Sequence, residues 1–398
     1  MSRLVYGIVA LAASLVVSPG ARAQEDESPA EWAEAAPDAG GKDGGSGKAT
    51  IEELYAHPRA GMETLKIRSG DYALSVNLNA QVQAAFFAQE DCLIENWDPA
   101  TTEGFRLRRG RVGFHGSAHE WVALNLVLDL YEQDAGGNTV QAANIVLKPW
   151  TWLSAAVGTA PLPFSKGAMT SSSLLQMVER PVTVTQMTPA SQLGAALFGN
   201  VLGGVLEYGA GVYNGGPGLT KADRGEGLLY AGRLQVSPLG PVDSGESDLV
   251  RSPLGFSVGG GGYYNNDSSI ETWAAGGDVR LKWKGLSLLG EVLWDRREPA
   301  GDPAMPPTLP DTTQRLGYFA QAGYFVIPGW LELAARYEWY DDRRDMPDAT
   351  DLWLATGGAN LFLLDGLVKV QINYIHRDEW NGPEQSNDIV FGQLQVNL

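Results

Sequence analysis

Four arginines within the six residues from Arg106 to Arg111 are the most chemically distinctive feature of the sequence. A guanidinium presents a planar fork of N–H donors that can hold phosphate or carboxylate oxygens in pairs. The segment is predicted to be a strand in which the alternation of apolar and polar residues is interrupted. A bulge near Arg109-Gly110 would restore the alternation. Arg106, Arg108 and Arg111 then share one face and form a row of positive charge that attracts anions.

The same row of arginines has a second interpretation. Acidic residues predicted on the same face of other strands could pair with it in a purely structural network, namely Asp129, Glu291, Glu332 and Glu338. Charged rings of a pore and packed ion pairs use the same residue types. The sequence therefore leaves an anion pathway and a salt-bridge network equally open.

The elements that would position these charges are long strands. From Leu74 to Phe86 the even positions are apolar, and from Ser75 to Gln83 the odd positions are Ser, Asn or Gln. This period of two indicates a strand, longer than the roughly 9–11 residues that a tilted strand needs to cross a bilayer. Comparable segments lie at about 104–117, 120–132, 139–149, 151–159, 192–199, 203–213, 227–238, 254–264, 270–283, 286–295, 313–326, 330–340, 350–362, 366–378 and 386–398. We therefore predict an all-β fold, a transmembrane antiparallel β-barrel of about 16 strands.

The connections alternate between tight turns and longer polar loops, as the two rims of an outer-membrane barrel do. One exception is 239–253, a polar segment where a tight turn is expected. Aromatic residues at the strand ends predict two girdles at the membrane interfaces. These are Trp121, Tyr131, Trp152, Tyr213, Trp283, Trp294, Tyr324, Trp330, Trp339 and Trp353.

If the apolar parity faces lipid, the opposite parity faces the lumen, since a charge facing lipid costs about 2–4 kcal/mol at mid-depth. Cations on the lumenal parity are predicted to line the pore together with the three arginines. They are Lys148, Arg233, Arg280, Lys282, Arg336 and Lys369. The loop at about 160–191 is too apolar for an exposed loop, so we expect it to fold back into the barrel and narrow it. A lid or partner-docking loop is the alternative.

Composition limits the possible partners and the cellular location. The net charge of −18 argues against nucleic acid, and one cysteine and four histidines leave little for a metal site, so no cofactor is expected. Residues 1–23 read as a cleavable signal peptide and 24–63 as a flexible acidic periplasmic tail with a short helix. The barrel domain is then 64–398, inserted in the lipid of a Gram-negative outer membrane.

The order of several short motifs resembles the phosphate-selective porin O and P family over residues 64–398. The motifs are the arginine-rich strand, Val157-Gly158, Pro163-Phe164-Ser165, Thr170-Ser171-Ser172, Met177-Val178-Glu179-Arg180, Tyr208–Gly215, Ala335–Glu338 and Lys369–Tyr374. The resemblance implies a homotrimeric, 16-stranded outer-membrane porin with an inward-folded third loop that passes small anions such as phosphate. It also assigns Arg106, Arg108 and Arg111 to an arginine ladder. The resemblance further implies that the residues of the constriction loop that face the pore are Lys166, Ser171, Ser172, Ser173 and Arg180.

Two other classes of function remain as alternatives. One is a barrel with a structural, adhesion or receptor role and a plugged lumen. The other is a barrel enzyme, which needs Ser or Asp beside a His at the outer rim, where only His376 is predicted to lie. We expect no enzymatic activity.

Overall fold

The computed structural model describes residues 65–87, 103–119, 121–130, 140–150, 152–216, 227–266, 270–300, 311–346, 351–381 and 387–398. Residues 1–63, with the predicted signal peptide, tail and helix, lie outside these ranges, as do most of the long loops and Tyr131. The strands are β1 (Leu65–Ser69), β2 (Tyr72–Phe87), β3 (Gly104–Ala118), β4 (Val122–Asp129), β5 (Val140–Trp150), β6 (Leu153–Ala160), β7 (Gln192–Val201), β8 (Leu206–Tyr213), β9 (Leu229–Val236), β10 (Gly255–Asn266), β11 (Ile270–Trp283), β12 (Leu286–Pro299), β13 (Thr313–Ile327), β14 (Leu331–Asp341), β15 (Leu352–Leu363), β16 (Val368–Glu379) and β17 (Ile389–Asn397).

Strands β2 to β17 form a closed ring. Each pairs antiparallel with the next, and β17 pairs with β2, so 16 strands close without a free edge. The predicted fold class is confirmed. The additional strand β1 pairs with Tyr72–Val76 of β2, on the edge that β17 occupies from Asn79 to Phe87. β1 was not predicted, because an alternation of apolar and cationic residues over only five positions is too short to identify a strand.

The two faces of the barrel wall follow the predicted parity. In β14, Leu333 is 49% exposed and Tyr337 is 43% exposed on the outer face, whereas Glu332, Arg336 and Glu338 are buried on the inner face. Apolar residues outside and polar residues inside invert the arrangement of a soluble protein, as lipid contact requires.

The aromatic residues at the strand ends follow this parity with one exception. Trp121, Trp283 and Trp330 are each about half exposed on the outer face, as predicted for an interface girdle. Tyr213 was also assigned to the girdle, and this is wrong. It lies on the inner parity of β8 and is buried against Gly211 and Gly194, which leave room for its ring.

The predicted bulge in the arginine-rich strand is present between β2 and β3. Gln81 pairs with Arg109 and the next residue of β2 pairs with Leu107, so Arg108 has no partner in the ladder. Consequently Arg109, like Arg106 and Arg111, lies opposite an inward-facing residue of β2. The prediction that Arg106, Arg108 and Arg111 enter the lumen left out Arg109 and was therefore incomplete.

The two rims differ in their connections. At one rim, here called the turn rim, short turns join most strand pairs, such as Lys284-Gly285, where both residues have positive φ. The join between β9 and β10 lies at the same rim but spans residues 237–254, and we call it the β9–β10 insert. The opposite rim is called the loop rim.

In the part of the chain that the structure describes, helical structure is confined to short pieces. The segment between β6 and β7 contains α1 (Lys166–Met169) and α2 (Val182–Met187), together with a 3-10 turn at Ser172–Leu174. Within the described ranges, no helix is long and apolar enough to cross a membrane.

Candidate pore and its arginine wall

Two carboxylates of the barrel wall anchor the short helices of segment 161–191. The Lys166 and Gly167 N–H groups donate to the Glu291 carboxylate at 3.0 and 2.9 Å, at the start of α1. The Val182 N–H donates to Glu338 Oε2 at 2.6 Å, at the start of α2. The first N–H groups of a helix have no partner within the helix, so an inner-face carboxylate is a natural acceptor for them.

Gln176 connects the middle of the segment to several strands. Its side-chain amide donates to Glu332 Oε1 at 2.5 Å and to Ser287 Oγ at 2.9 Å, and it accepts from Gln321 Nε2 at 2.9 Å. The Asn360 side chain donates to its main-chain oxygen at 2.8 Å. Since these partners lie on the inner parity of β12 to β15, the amide network ties the segment to the lumenal side of the wall.

On the other side of the segment, Glu179 contacts the arginines of β3. Arg108 Nε donates to Glu179 Oε1 at 2.8 Å, while the nearest distances from Arg106 and Arg109 are 3.5 and 3.7 Å. Burial on its own would raise the pKa of Glu179, but Arg108 and Arg109 outweigh burial and lower the pKa to about 2. Glu179 is therefore a carboxylate at any physiological pH.

Arg111 contacts both the barrel wall and segment 161–191. Its Nε donates to Asp129 Oδ2 at 2.7 Å, which is the predicted ion pair. Its Nη1 donates to Ser172 Oγ at 2.8 Å, so the same guanidinium contacts segment 161–191. Arg106 donates to Gln83 Oε1 at 2.7 and 2.9 Å.

A cavity of about 760 Å³ lies between the arginine-rich wall and segment 161–191. The wall contributes polar residues of β2 and β3 together with three of the arginines. The segment contributes Thr170 to Leu174 and its three ionisable residues, Lys166, Glu179 and Arg180. The cationic lining residues are Arg108, Arg109, Arg111, Lys166, Arg180 and Arg336.

Segment 161–191 contributes two cations whose pKa values are lowered. The pKa of Lys166 falls to about 8 because it is buried and lies near Arg280 and Arg233. The pKa of Arg180 is lowered mainly by burial, and its guanidinium donates to the Gly167 carbonyl at 3.3 Å and to the Thr170 carbonyl. Of the predicted hydroxyl residues, Ser171 is exposed and Ser172 is buried against Arg111. The carbonyl of Ser173 accepts from Lys369 Nζ at 3.3 Å.

Four of the predicted pore cations are on the inner face, but they are covered and do not line the cavity. Arg233 pairs with Asp278 at 2.6 Å and donates to the Phe164 carbonyl at 2.9 Å. Lys369 Nζ also donates to the Leu175 carbonyl, at 2.9 Å. Arg280 and Lys282 contact the β9–β10 insert. The interpretation of these four as pore-lining is corrected, because chain folded against the inner wall separates them from the cavity.

The other two cations of that set differ from each other. Arg336 lines the cavity, pairs with Glu338 at 2.6 Å and donates to the Glu179 carbonyl at 2.9 Å. Lys148 lies on the inner parity of β5, two residues before Trp150 at the turn rim, and does not line the cavity.

Sequence reasoning missed two charged residues of this cavity. Arg109 was left out of the predicted set, because the bulge was expected near Arg109-Gly110 whereas it falls at Arg108. Glu179 was noted only as part of a motif, although a lone carboxylate beside Arg180 in an otherwise apolar segment was a signal that it needs cationic partners. Among the described residues, no group of three or more His, Cys, Asp or Glu side chains is placed to hold a metal ion.

Comparisons with known proteins agree with this architecture. Residues 76–247 match the family model described as phosphate-selective porin O and P. An uncharacterized protein of Aquifex aeolicus (strain VF5) is 25% identical over 279 residues, which is 63% of this chain and 66% of that protein, just under two thirds of its length.

Similar solved structures are outer-membrane proteins. OmpF of Salmonella typhi, in complex with daunomycin, has a TM-score of 0.58 at 11% identity, over 84% of this chain and 100% of OmpF. The outer membrane channel DcaP of Acinetobacter baumannii has a TM-score of 0.53 at 12% identity, over 83% and 99% of the two chains. A trimer form of OmpT, an outer membrane protein of Vibrio cholerae, has a TM-score of 0.55 at 10% identity, over 82% and 99%. At these identities the structures establish a shared fold.

The family match and the shared fold together favour a channel of the outer membrane over an enzyme. The resemblance to the phosphate-selective porin O and P family, first noted from the motifs, is confirmed across residues 76–247 on a closed barrel of 16 antiparallel strands.

Proposed function

We propose that this protein is an outer-membrane porin through which small anions, phosphate among them, diffuse passively past the arginine wall of β3. The observation that carries the proposal is the cavity of about 760 Å³ whose lining includes Arg108, Arg109 and Arg111 on one side and Lys166 and Arg180 on the other. Positive groups on both sides of a narrow path raise the local concentration of anions. Phosphate itself is suggested by the name of the matched family.

In this proposal, segment 161–191 is the inward-folded constriction loop. Its support is the set of hydrogen bonds from the segment to inner-face residues, such as those of Gln176 with Glu332 and of Val182 with Glu338. A loop held at many points on the wall narrows the lumen without blocking the side where the cavity remains. The hydroxyl groups of Ser171, Ser172 and Ser173 lie on the cavity side and offer donors to a partly dehydrated anion.

The selectivity of the path depends on the balance between acidic and basic side chains around the cavity. Glu179 and Asp129 each neutralise part of the arginine cluster, whereas Arg109, Arg180 and Lys166 add positive charge on the same cavity. We expect the path to carry a net positive charge, because six lining residues are Lys or Arg and only Glu179 and Glu338 are acidic.

The test is reversal potential in a salt gradient across a planar bilayer. The wild type should favour chloride over potassium, and the triple variant R106A/R108A/R111A should lose that preference, since Glu179 then remains in the cavity with fewer counter-charges. Added inorganic phosphate should reduce the chloride current of the wild type and have a weaker effect on the variant. The matched control is R343A/R344A, which removes two exposed cations at the loop rim.

The result that contradicts the proposal is a wild type that prefers cations, or a triple variant with unchanged selectivity. Absence of any conductance from correctly inserted protein would instead favour the receptor or adhesion alternative. We further propose export by a cleaved signal peptide and assembly as a homotrimer. The second point is supported by the trimer form of the similar OmpT. Cross-linking in whole cells tests it, and a species of monomer mass alone would count against it.

A further inference from the structure

The β9–β10 insert buries two of its three carboxylates. Glu246 is 3% exposed and Asp248 is 1% exposed, although the insert joins two strands at a rim where short turns are the rule. A buried carboxylate is stable only with partners for its charge and its lone pairs. Asp248 has such partners near the rim, since its two oxygens accept from Ser252 N at 2.9 Å and Gly285 N at 2.6 Å. The insert is therefore fixed to the neighbouring turn.

The middle of the insert contacts two cations of β11, one through a carboxylate and one through main-chain carbonyls. Lys282 Nζ lies 2.8 Å from Asp243 Oδ2 and 2.8 Å from the Ser247 carbonyl. Arg280 donates to the Ser244 carbonyl at 2.6 Å and lies within reach of the two carbonyls beside it. Both cations are almost fully buried, so the insert replaces water around them.

The tip of the insert meets segment 161–191, which approaches from the opposite rim. Glu246 N donates to the Leu174 carbonyl at 3.1 Å, and Glu246 Oε2 accepts from Gln176 N at 2.8 Å and from Gln321 Nε2 at 3.1 Å. Ser247 Oγ donates to Glu332 Oε2 at 2.7 Å. The two segments thus meet at Gln321 of β13 and at Glu332, near the turn-rim end of β14, and cover the inner wall there.

The cavity runs along the other part of the lumen. Most of its wall comes from residues of β2 to β5, with further residues from β14 to β16. The insert contributes Ser244 to the lining, whereas Arg280 and Lys282 are not among the lining residues. The insert therefore borders the path on one side and covers cations that would otherwise face it.

We propose that the β9–β10 insert is a second constriction element, which closes the lumen beneath β11 to β13 and the turn-rim end of β14 and withdraws Arg280 and Lys282 from the permeation path. Solutes then pass only beside the arginine wall of β3, and Asp243 and Glu246 determine how much positive charge the path retains. This inference rests on the proposed channel activity.

The main experiment compares the wild type with a chain that lacks residues 240–252, using single-channel conductance and reversal potential. Removing the insert should raise conductance at least about twofold, because a covered part of the lumen opens to water. It should also shift the reversal potential toward anions, because Lys282 loses the carboxylate of Asp243 as a counter-charge and Arg280 loses the carbonyls that cover it.

Point variants keep the test valid if the shortened chain fails to insert. D243N/E246Q preserves the length and shape of the insert, and it should shift the reversal potential toward anions with a smaller rise in conductance. The matched control is D365N, which removes an exposed carboxylate from another turn at the same rim and should leave both quantities unchanged.

The outcomes separate this inference from the porin proposal. Equal conductance and equal selectivity of the wild type, the shortened chain and D243N/E246Q would overturn the second constriction and leave the porin intact. A silent wild type with a conducting shortened chain would support the insert as a barrier and overturn passive diffusion. Silence of every inserted variant would overturn both.

Discussion

Replacing Glu179 with Gln is the most direct test of how the arginine wall is balanced. The E179Q substitution keeps the size of the side chain and an acceptor oxygen for Arg108 Nε, which lies 2.8 Å from Oε1. It removes one negative charge that otherwise offsets Arg106, Arg108 and Arg109. The path past β3 should therefore become more favourable for anions.

The size of the change follows from Coulomb's law. An ion passing about 6 Å from the carboxylate interacts with it by about 0.7 kcal/mol in bulk water, which screening at 0.1 M salt reduces to about 0.4 kcal/mol. Anions and cations respond with opposite signs, so the difference between them changes by about 0.8 kcal/mol. The ratio of anion to cation permeability should consequently rise about fourfold.

The assay is reversal potential in a KCl gradient, with E103Q as the control. Glu103 is exposed near the start of β3, where it accepts from Phe87 N at 2.8 Å, and it does not line the cavity. The pKa of Glu179 is about 2, so its charge is present at pH 7 and is lost only as the pH falls through about 2. The difference between wild type and E179Q should therefore be the same at pH 7 and pH 4.

Two results would refute this reasoning. An unchanged permeability ratio in E179Q would mean that permeating ions do not pass the arginine wall. A difference that disappears between pH 7 and pH 4 would mean that the carboxylate titrates near its ordinary value, and hence that the three arginines do not surround it as described.

Three further predictions concern charge, backbone and assembly. Raising the pH from 7 to 9 should lower the anion preference of the wild type, because Lys166 has a pKa of about 8 and loses its charge over this range; reversal potentials of the Lys166→Arg variant should stay constant. Gly158→Ala should reduce the yield of folded barrel in heat-modifiability gels, since Gly158 has φ +128° and a Cβ there would meet the Ala143 carbonyl at 2.1 Å. Gly357→Ala, where a Cβ would meet nothing within 4 Å, should fold as well as the wild type, and equal losses in both variants would contradict the argument. The wild type itself should migrate differently when heated and fractionate with the outer membrane, and a circular dichroism spectrum dominated by helix would be incompatible with the fold.

The barrel was predictable because its signal is local and repeated. In a strand that faces lipid on one side and water on the other, apolar and polar residues alternate, as they do from Leu74 to Phe86. Sixteen such segments together make the prediction stronger than any one of them does. The arginine-rich strand was also recognised with its bulge, because the parity break is visible within ten residues. The bulge falls at Arg108, beside the predicted Arg109-Gly110, and Arg109 was for this reason left out of the predicted inward-facing set.

The covering of the inner wall was not predictable in the same way. Whether an inward-facing cation such as Lys282 meets water depends on Asp243, 39 positions away. The fate of Lys369 depends on the carbonyl of Leu175, 194 positions away. Period-two patterning reports which face a residue is on, but it carries no information about what distant segment lies over that face. Sequence therefore located the lumenal cations and overestimated how many of them line the pore.

The short strand β1 has a consequence for how the barrel closes. β1 occupies the edge of β2 from Tyr72 to Val76, so β17 can pair only with the remainder of that edge, which starts beside Leu78. The β1–β2 hairpin needs only neighbouring residues, whereas the β2–β17 seam joins residues more than 300 positions apart, such as Asn79 and Asn397. Local hairpins form faster than distant pairings, so the hairpin should be in place before the seam closes. β1 then blocks β17 from shifting along β2 toward the turn rim. Such a shift would separate the Asn79, Gln81 and Gln83 side chains from their amide partners on β17.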